Sequence, residues 1–233
     1  MRKFLSAKWQ DLIMANYEVE PSLLASRVPA GTELDLYNGK CFVSLVGFMF
    51  CDTRILGMPI PFHVNFEEVN LRFYIRREVG KEVRRAVCFV KEIVPRYAIA
   101  TIARVLYGEP YESWQMRHAR SENKVAYEWS KGANSNRLSV EIGESTGVPP
   151  TETHGEFIIE HYWGYTKRGG TRVDEYKVEH PKWELYSVTS HLIEVDFHQT
   201  YGQEFAFLTG TEPYSVLLAK GSDISVYKGE KIR

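Results

Sequence analysis

The chain carries almost no net charge: 29 basic and 30 acidic residues leave a formal charge of -1, with no block of one sign. That balance argues against a nucleic-acid partner or an anionic-membrane partner, both of which call for a basic patch. Cysteine is scarce as well. Cys41, Cys51 and Cys88 are odd in number and lack C-x-x-C spacing, so neither a disulfide framework nor a cysteine-based zinc site is expected. No apolar run is long enough to span a bilayer; the most apolar stretch, residues 41–51, reads as a buried strand. The first residues lack the apolar core and small-residue cleavage site of a secretory leader, which makes a cytoplasmic, reducing setting the expectation. Also missing are a G-x-S-x-G nucleophile elbow, an H-E-x-x-H metal motif and a glycine-rich loop opening a helix. Gly169-Gly170 falls between two strand patterns and reads as a hairpin turn. No cofactor and no metal are therefore expected.

What is present is ordinary globular material, 44% hydrophobic and 25% charged, without a composition shift, repeat or linker to divide it. One domain over residues 1–233 is expected. Apolar periodicity is mostly two, in short β-branched and aromatic runs separated by Gly, Pro, Asn and Asp. Besides 41–51, strands are predicted near 9–19, 63–76, 83–91, 111–120, 125–129, 137–142, 163–167, 174–178, 184–195 and 216–227. Asn38-Gly39 before the Cys41 strand is a strong hairpin signal, since both central residues of a type I′ turn need positive φ. Helices are predicted over 21–28, where Pro21 opens the segment, over 96–107, with Gly108 able to cap it, and more weakly over 156–162.

The most informative segment is 66–75. Strand alternation places Glu68, Asn70, Arg72 and Tyr74 on one face and Val69, Leu71, Phe73 and Ile75 on the other. If both faces are covered, the polar row lines a ligand cavity and must satisfy itself, with Glu68 and Arg72 able to form an ion pair around Asn70. The alternative is a solvated edge or a structural ion-pair network. Tyr111, Trp114 and Met116 could form an apolar wall, or simply core. His161 and His180 stand beside aromatics, where acid–base work, stacking or a structural role are all open. His191, Asp196 and His198 are close in sequence, and Asp196 and His198 would share a strand face, but two ligands on one strand do not complete a tetrahedral metal site. Lys91, the only lysine of the 83–91 strand, would gain imine reactivity only by pointing inward.

Trp9 with Pro21 beyond it, Val28-Pro29-Ala30-Gly31, the run from Asn38-Gly39 to Phe48, and Glu68-Val69-Asn70-Leu71-Arg72-Phe73-Tyr74 together resemble the YqjF-like family of bacterial proteins of unknown function. Pro110-Tyr111, Met116, Glu160-His161-Tyr162-Trp163 and His180-Pro181-Lys182-Trp183 extend the resemblance over most of the chain, with a departure at His161, where the family more often has arginine. That family is similar in fold to acetoacetate decarboxylase. The resemblance implies a mainly β, α+β architecture: a conical, largely antiparallel β-barrel around a pocket, a few short helices, and often a homo-oligomer. In acetoacetate decarboxylases a lysine forms an imine with the substrate and a neighbouring lysine lowers its pKa. The turn that corresponds here reads Gly108-Glu109-Pro110-Tyr111, so the resemblance does not carry the paired-lysine mechanism across. The expected ligand residues are Glu68, Asn70, Arg72, Tyr74 and Tyr111, holding an acidic or carbonyl-containing metabolite, with lyase or isomerase chemistry open. A non-catalytic sensing module and an oligomeric structural protein are the rival readings.

Overall fold

The structure is a computed structural model that describes residues 1–59, 61, 63–97, 108–168 and 172–232. Its strands are β1 (Lys3–Val19), β2 (Glu33–Leu34), β3 (Cys41–Ile55), β4 (Met58–Pro59), β5 (Phe66–Val79), β6 (Glu82–Val94), β7 (Tyr111–Ser113) and β8 (Gln115–Arg120). They continue with β9 (Lys124–Lys131), β10 (Asn134–Gly147), β11 (Trp163–Lys167), β12 (Val173–Glu179), β13 (Leu185–Glu194), β14 (Ser215–Tyr227) and β15 (Glu230–Lys231). Every strand predicted from the period-two pattern is present. The predicted run 111–120 is interrupted at Trp114 and forms two strands with different neighbours. β7 pairs in parallel with β6, and β8 pairs antiparallel with β9.

Hydrogen bonding orders the central strands β12-β11-β6-β5-β3-β1-β14, and β14 pairs back to β12 through Val178 opposite Val226. The path therefore returns on itself as a ring of seven strands. β3, the neighbour of β5, is buried on both faces over Cys41–Phe48, which is why it reads as a nearly continuous apolar run. One face packs Val69, Leu71, Phe73 and Ile75 against Tyr127, Trp129, Leu138 and Phe197. The other packs Phe42, Val46, Phe48 and Tyr74 against Phe157, Tyr176, Trp183 and Val226.

The Asn38-Gly39 turn forms as its residue types require, with φ of 51° and 79° and paired backbone bonds between Tyr37 and Lys40 at 3.0 Å. It does not open a full hairpin. Glu33 and Leu34 pair with Arg76 and Ile75 of β5 instead, because the residues before the turn are drawn to the edge of a different strand.

The predicted helix over 21–28 is shorter, Pro21–Leu24. That over 156–162 starts earlier, His154–Ile159, because Thr153 caps it by accepting from the Glu156 amide. The helix predicted over 96–107 and the turn at Gly169-Gly170 fall largely outside the described residues, although β11 and β12 flank that turn as an antiparallel pair. The strand predicted over 184–195 is β13, Leu185–Glu194, and a helix at Phe197–Tyr201 and a 3₁₀ helix at Gln203–Leu208 follow it. Asp196 is the cap, accepting from Gln199 N at 2.9 Å. No helix among the described residues is long and apolar enough to cross a membrane.

One glycine couples fold to site. Gly164 faces Tyr176 across β11 and β12, and a Cβ at Gly164 would lie 2.2 Å from Tyr176 Cζ. The missing side chain is what lets the tyrosine ring lie across its neighbour. Gly164→Ala is expected to destabilise the protein by about 1–3 kcal/mol, the usual range for overpacking, measured by urea denaturation; an unchanged midpoint would show that Tyr176 is free to move aside.

Candidate functional site

β5 presents Phe66, Glu68, Asn70 and Arg72 to a cavity of about 140 Å³ whose lining draws on all seven strands of the ring. Alternation explains the β5 row, but β6 follows it only in part. Leu71 faces Lys91 while Arg72 faces Phe89, leaving Val90 as an extra residue. Such a bulge shifts the alternation by one position. Val87 and Phe89 line the cavity, and beyond the bulge Glu92 does so where strict alternation would have placed Lys91. Lys91 points elsewhere and pairs with Glu112 at 2.8 Å. No lysine lines the cavity among the described residues, which include every lysine of the chain.

Three carboxyl groups meet inside. Glu68, Glu92 and Glu109 are only 2%, 1% and 5% exposed. Glu68 accepts from Asn70 Nδ2 at 2.9 Å and from the Tyr111 hydroxyl at 3.1 Å. Glu109 accepts from the Tyr176 hydroxyl and from Thr166 Oγ1 at 3.2 Å, and it lies near enough to Glu92 for its charge to raise the Glu92 pKa. Burial pushes Glu68 up to about 7, against the two hydrogen bonds it accepts, and the nearby Glu109 charge adds to the rise. Burial, then the charges of Glu109 and Glu68, raise Glu92 well above the carboxylate range. Burial raises Glu109 too, opposed by its hydrogen bonds from Tyr176 and Thr166. Like charges at close quarters in low dielectric cannot all be ionised, so the group holds protons near neutral pH.

Arg72 is 9% exposed and makes no ion pair with Glu68, contrary to the pairing expected from the sequence. Its Nη2 donates to the Ile158 carbonyl at 3.4 Å and approaches Met14 Sδ at 3.7 Å, while its Nε finds no partner among the described residues. Asn70 Oδ1, Glu92 Oε2 and His161 Nδ1 are likewise buried without a protein partner, and all belong to residues lining this cavity. Such groups are rare in folded proteins, and their gathering in one cavity is a mark of a polar occupant.

Tyr74 shares the face of Arg72 but not the cavity. Its hydroxyl lies 2.6 Å from Ser44 Oγ, which donates in turn to Asn16. His161 lines the wall with Nε2 3.2 Å from Asp35, a carboxylate that also takes Arg85 Nε at 2.8 Å. Burial lowers His161 to about 4, so it is a neutral acceptor at Nδ1. His180 stacks on Trp183 with centroids 4.1 Å apart and is also lowered to about 4 by burial.

The other sequence candidates lie elsewhere. Trp114 and Met116 pack in the core on the opposite side of the sheet. Asp196 and His198 are not on a strand at all, since Asp196 caps a helix, and His191 pairs with Glu212 at 3.0 Å. Cys88 is buried, its thiol donating to the Tyr165 carbonyl and raised by burial, so it is no nucleophile. Glu92, Tyr176 and Thr166 escaped sequence reasoning. Glu92 is hidden by the bulge, while Tyr176 had one available signal, a glycine in the strand it pairs with.

Residues 6–223 match the DUF2071 family, described as an uncharacterized conserved protein. The uncharacterized protein YqjF of Bacillus subtilis (strain 168) is 40% identical over 120 residues, 51% of this chain and 48% of that protein. The match thus spans about half the length of that relative. Acetoacetate decarboxylase of Legionella pneumophila superposes over 100% of this chain and 88% of its own, with a TM-score of 0.67 at 12% identity. An acetoacetate decarboxylase-like enzyme of Sphingomonas wittichii RW1 gives a TM-score of 0.66 at 12% identity, covering 100% of this chain and 94% of its own. The enduracididine biosynthesis enzyme MppR with bound pyruvate gives 0.66 at 13% identity, over 99% and 91% of the two chains. A mostly β chain with the fold of acetoacetate decarboxylase, built around an interior carboxyl cluster, this protein belongs to the DUF2071 family of uncharacterized conserved proteins.

Proposed function

We propose that the strand ring is a conical β-barrel whose cavity binds a small organic acid bearing a carbonyl group, and that it supports lyase-like acid–base chemistry without a lysine imine. The observation that carries this reading is Arg72: a buried guanidinium, facing the cavity, with no carboxylate of its own to pair with. Leaving such a charge without a counter-ion is costly unless a ligand supplies one, and a carboxylate is the group its planar fork fits best.

Glu68 supplies the acid. A carboxyl group that titrates near 7 is about half protonated at neutral pH and so gives and regains its proton readily. In a decarboxylating step on a β-keto acid the carboxylate leaves as carbon dioxide, the electrons of the broken carbon–carbon bond form the new enol double bond, the carbonyl pair moves onto oxygen, and the Glu68 proton neutralises that oxygen. Glu68 is left as the carboxylate, held by Asn70 and Tyr111, and recovers a proton from solvent. Imine catalysis has no amine to use in this cavity.

Thermal-shift screening of keto and hydroxy acids should give ligands that stabilise the wild type and not Arg72→Ala. Hits indifferent to Arg72→Ala would remove the carboxylate-recognition argument. Borohydride added with a carbonyl ligand should leave every lysine unmodified by mass spectrometry, whereas a reduced adduct on any lysine would restore imine chemistry. The pH dependence has a definite sign. Because the Glu68 pKa is raised, the group is neutral below about 7 and anionic above it, so affinity for an anionic acid should fall as pH rises through that value. In Glu68→Gln this fall should flatten; affinity that rises with pH in the wild type would contradict the assignment.

A further inference from the structure

The acid–base reading leaves one wall of the cavity unused. At the Phe66 end of β5 the lining is aromatic. Phe50 stacks on its cross-strand neighbour Phe66 with centroids 4.7 Å apart. Trp9 meets Phe48 at 5.1 Å and Phe50 at 5.7 Å, both edge-on, and Trp183 closes the group 6.1 Å from Trp9. All five rings line the cavity. Trp183 is held in place by the His180 ring stacked on it and by a hydrogen bond from its Nε1 to Ser222 Oγ at 2.9 Å.

The order of side chains along β5 then reads as a polarity profile. Arg72 comes first, then Asn70, Glu68 and Phe66, each one pleat of ~7 Å from the last, with Glu68 directly opposite Phe48. A molecule with its carboxylate on Arg72 and its carbonyl at Glu68 has the aromatic wall next in line. A ligand that ended at the carbonyl would leave the cavity-facing edges of these rings, which are otherwise buried against one another, without an apolar partner.

We propose that the ligand is a keto acid whose carbonyl end carries an aromatic ring or a bulky branched alkyl group, seated among Trp9, Phe48, Phe50, Phe66 and Trp183. The inference rests on the acid-recognising role of Arg72 proposed above. Arg72 fixes one end of the molecule and the ring wall selects the other, so discrimination against short keto acids comes from the tail.

Two matched pairs test it, pyruvate with phenylpyruvate and acetoacetate with benzoylacetate, titrated by calorimetry and by tryptophan fluorescence. The ring-bearing member of each pair should bind the wild type at least roughly tenfold more tightly, the scale of a well-filled apolar subsite. It should also perturb the emission of Trp9 and Trp183. Trp9→Ala should lose most of that advantage; Phe66→Leu, which keeps an apolar side chain in the wall, should lose part of it. Equal affinity within each pair, or an advantage that survives both substitutions, overturns the tail proposal and leaves the Arg72 reading standing. Binding that ignores Arg72→Ala overturns both.

Discussion

Three carboxyl groups enclosed by one ring of strands cannot all carry charge, and much of the interior is arranged around that constraint. Glu68, Glu92 and Glu109 come from β5, β6 and the turn before β7. Each is buried far beyond what an isolated carboxylate tolerates; Asn70 and Tyr111 hold Glu68, Tyr176 and Thr166 hold Glu109, and Glu92 is raised by burial and by the charges of the other two. Tyr176 reaches its partner only because Gly164 leaves room for the ring. The strand pairing, one glycine and one bulge therefore converge on a single protonated cluster.

Arg72 balances this arrangement without neutralising it. It sits on the same strand face as Glu68, yet its hydrogen bonds go to a backbone carbonyl and a thioether rather than to a carboxylate. A direct Glu68–Arg72 ion pair would have depressed the Glu68 pKa and filled both groups' bonding capacity. Their separation leaves one group able to release a proton and the other able to hold an anion, along one wall of the same small volume. The comparison structures at 12–13% identity share the fold.

Much of this was legible in the sequence. Period-two runs located the strands, Asn38-Gly39 announced its turn, and alternation over 66–75 separated the polar row from the apolar one correctly. What alternation cannot see is a bulge. One extra residue at Val90 exchanges Lys91 for Glu92 on the interior face, turning an expected amine question into a carboxyl cluster. Tyr74 illustrates a second limit: a face is legible, but where a cavity ends along that face depends on the helix His154–Ile159 packed over it. The metal candidates failed for a local reason, since Asp196 was read within a strand although an aspartate three residues before an amide it can bond is equally a helix cap.

The central claim is that this interior is protonated at neutral pH. Infrared difference spectroscopy of the ligand-free protein at pH 7, wild type minus Glu92→Gln, tests it most directly, because glutamine keeps the shape of a neutral glutamic acid. The account predicts the C=O stretch of a carboxylic acid in the wild type, shifted in heavy water and missing from Glu92→Gln. Carboxylate bands alone, with no protonated acid to lose, would contradict it.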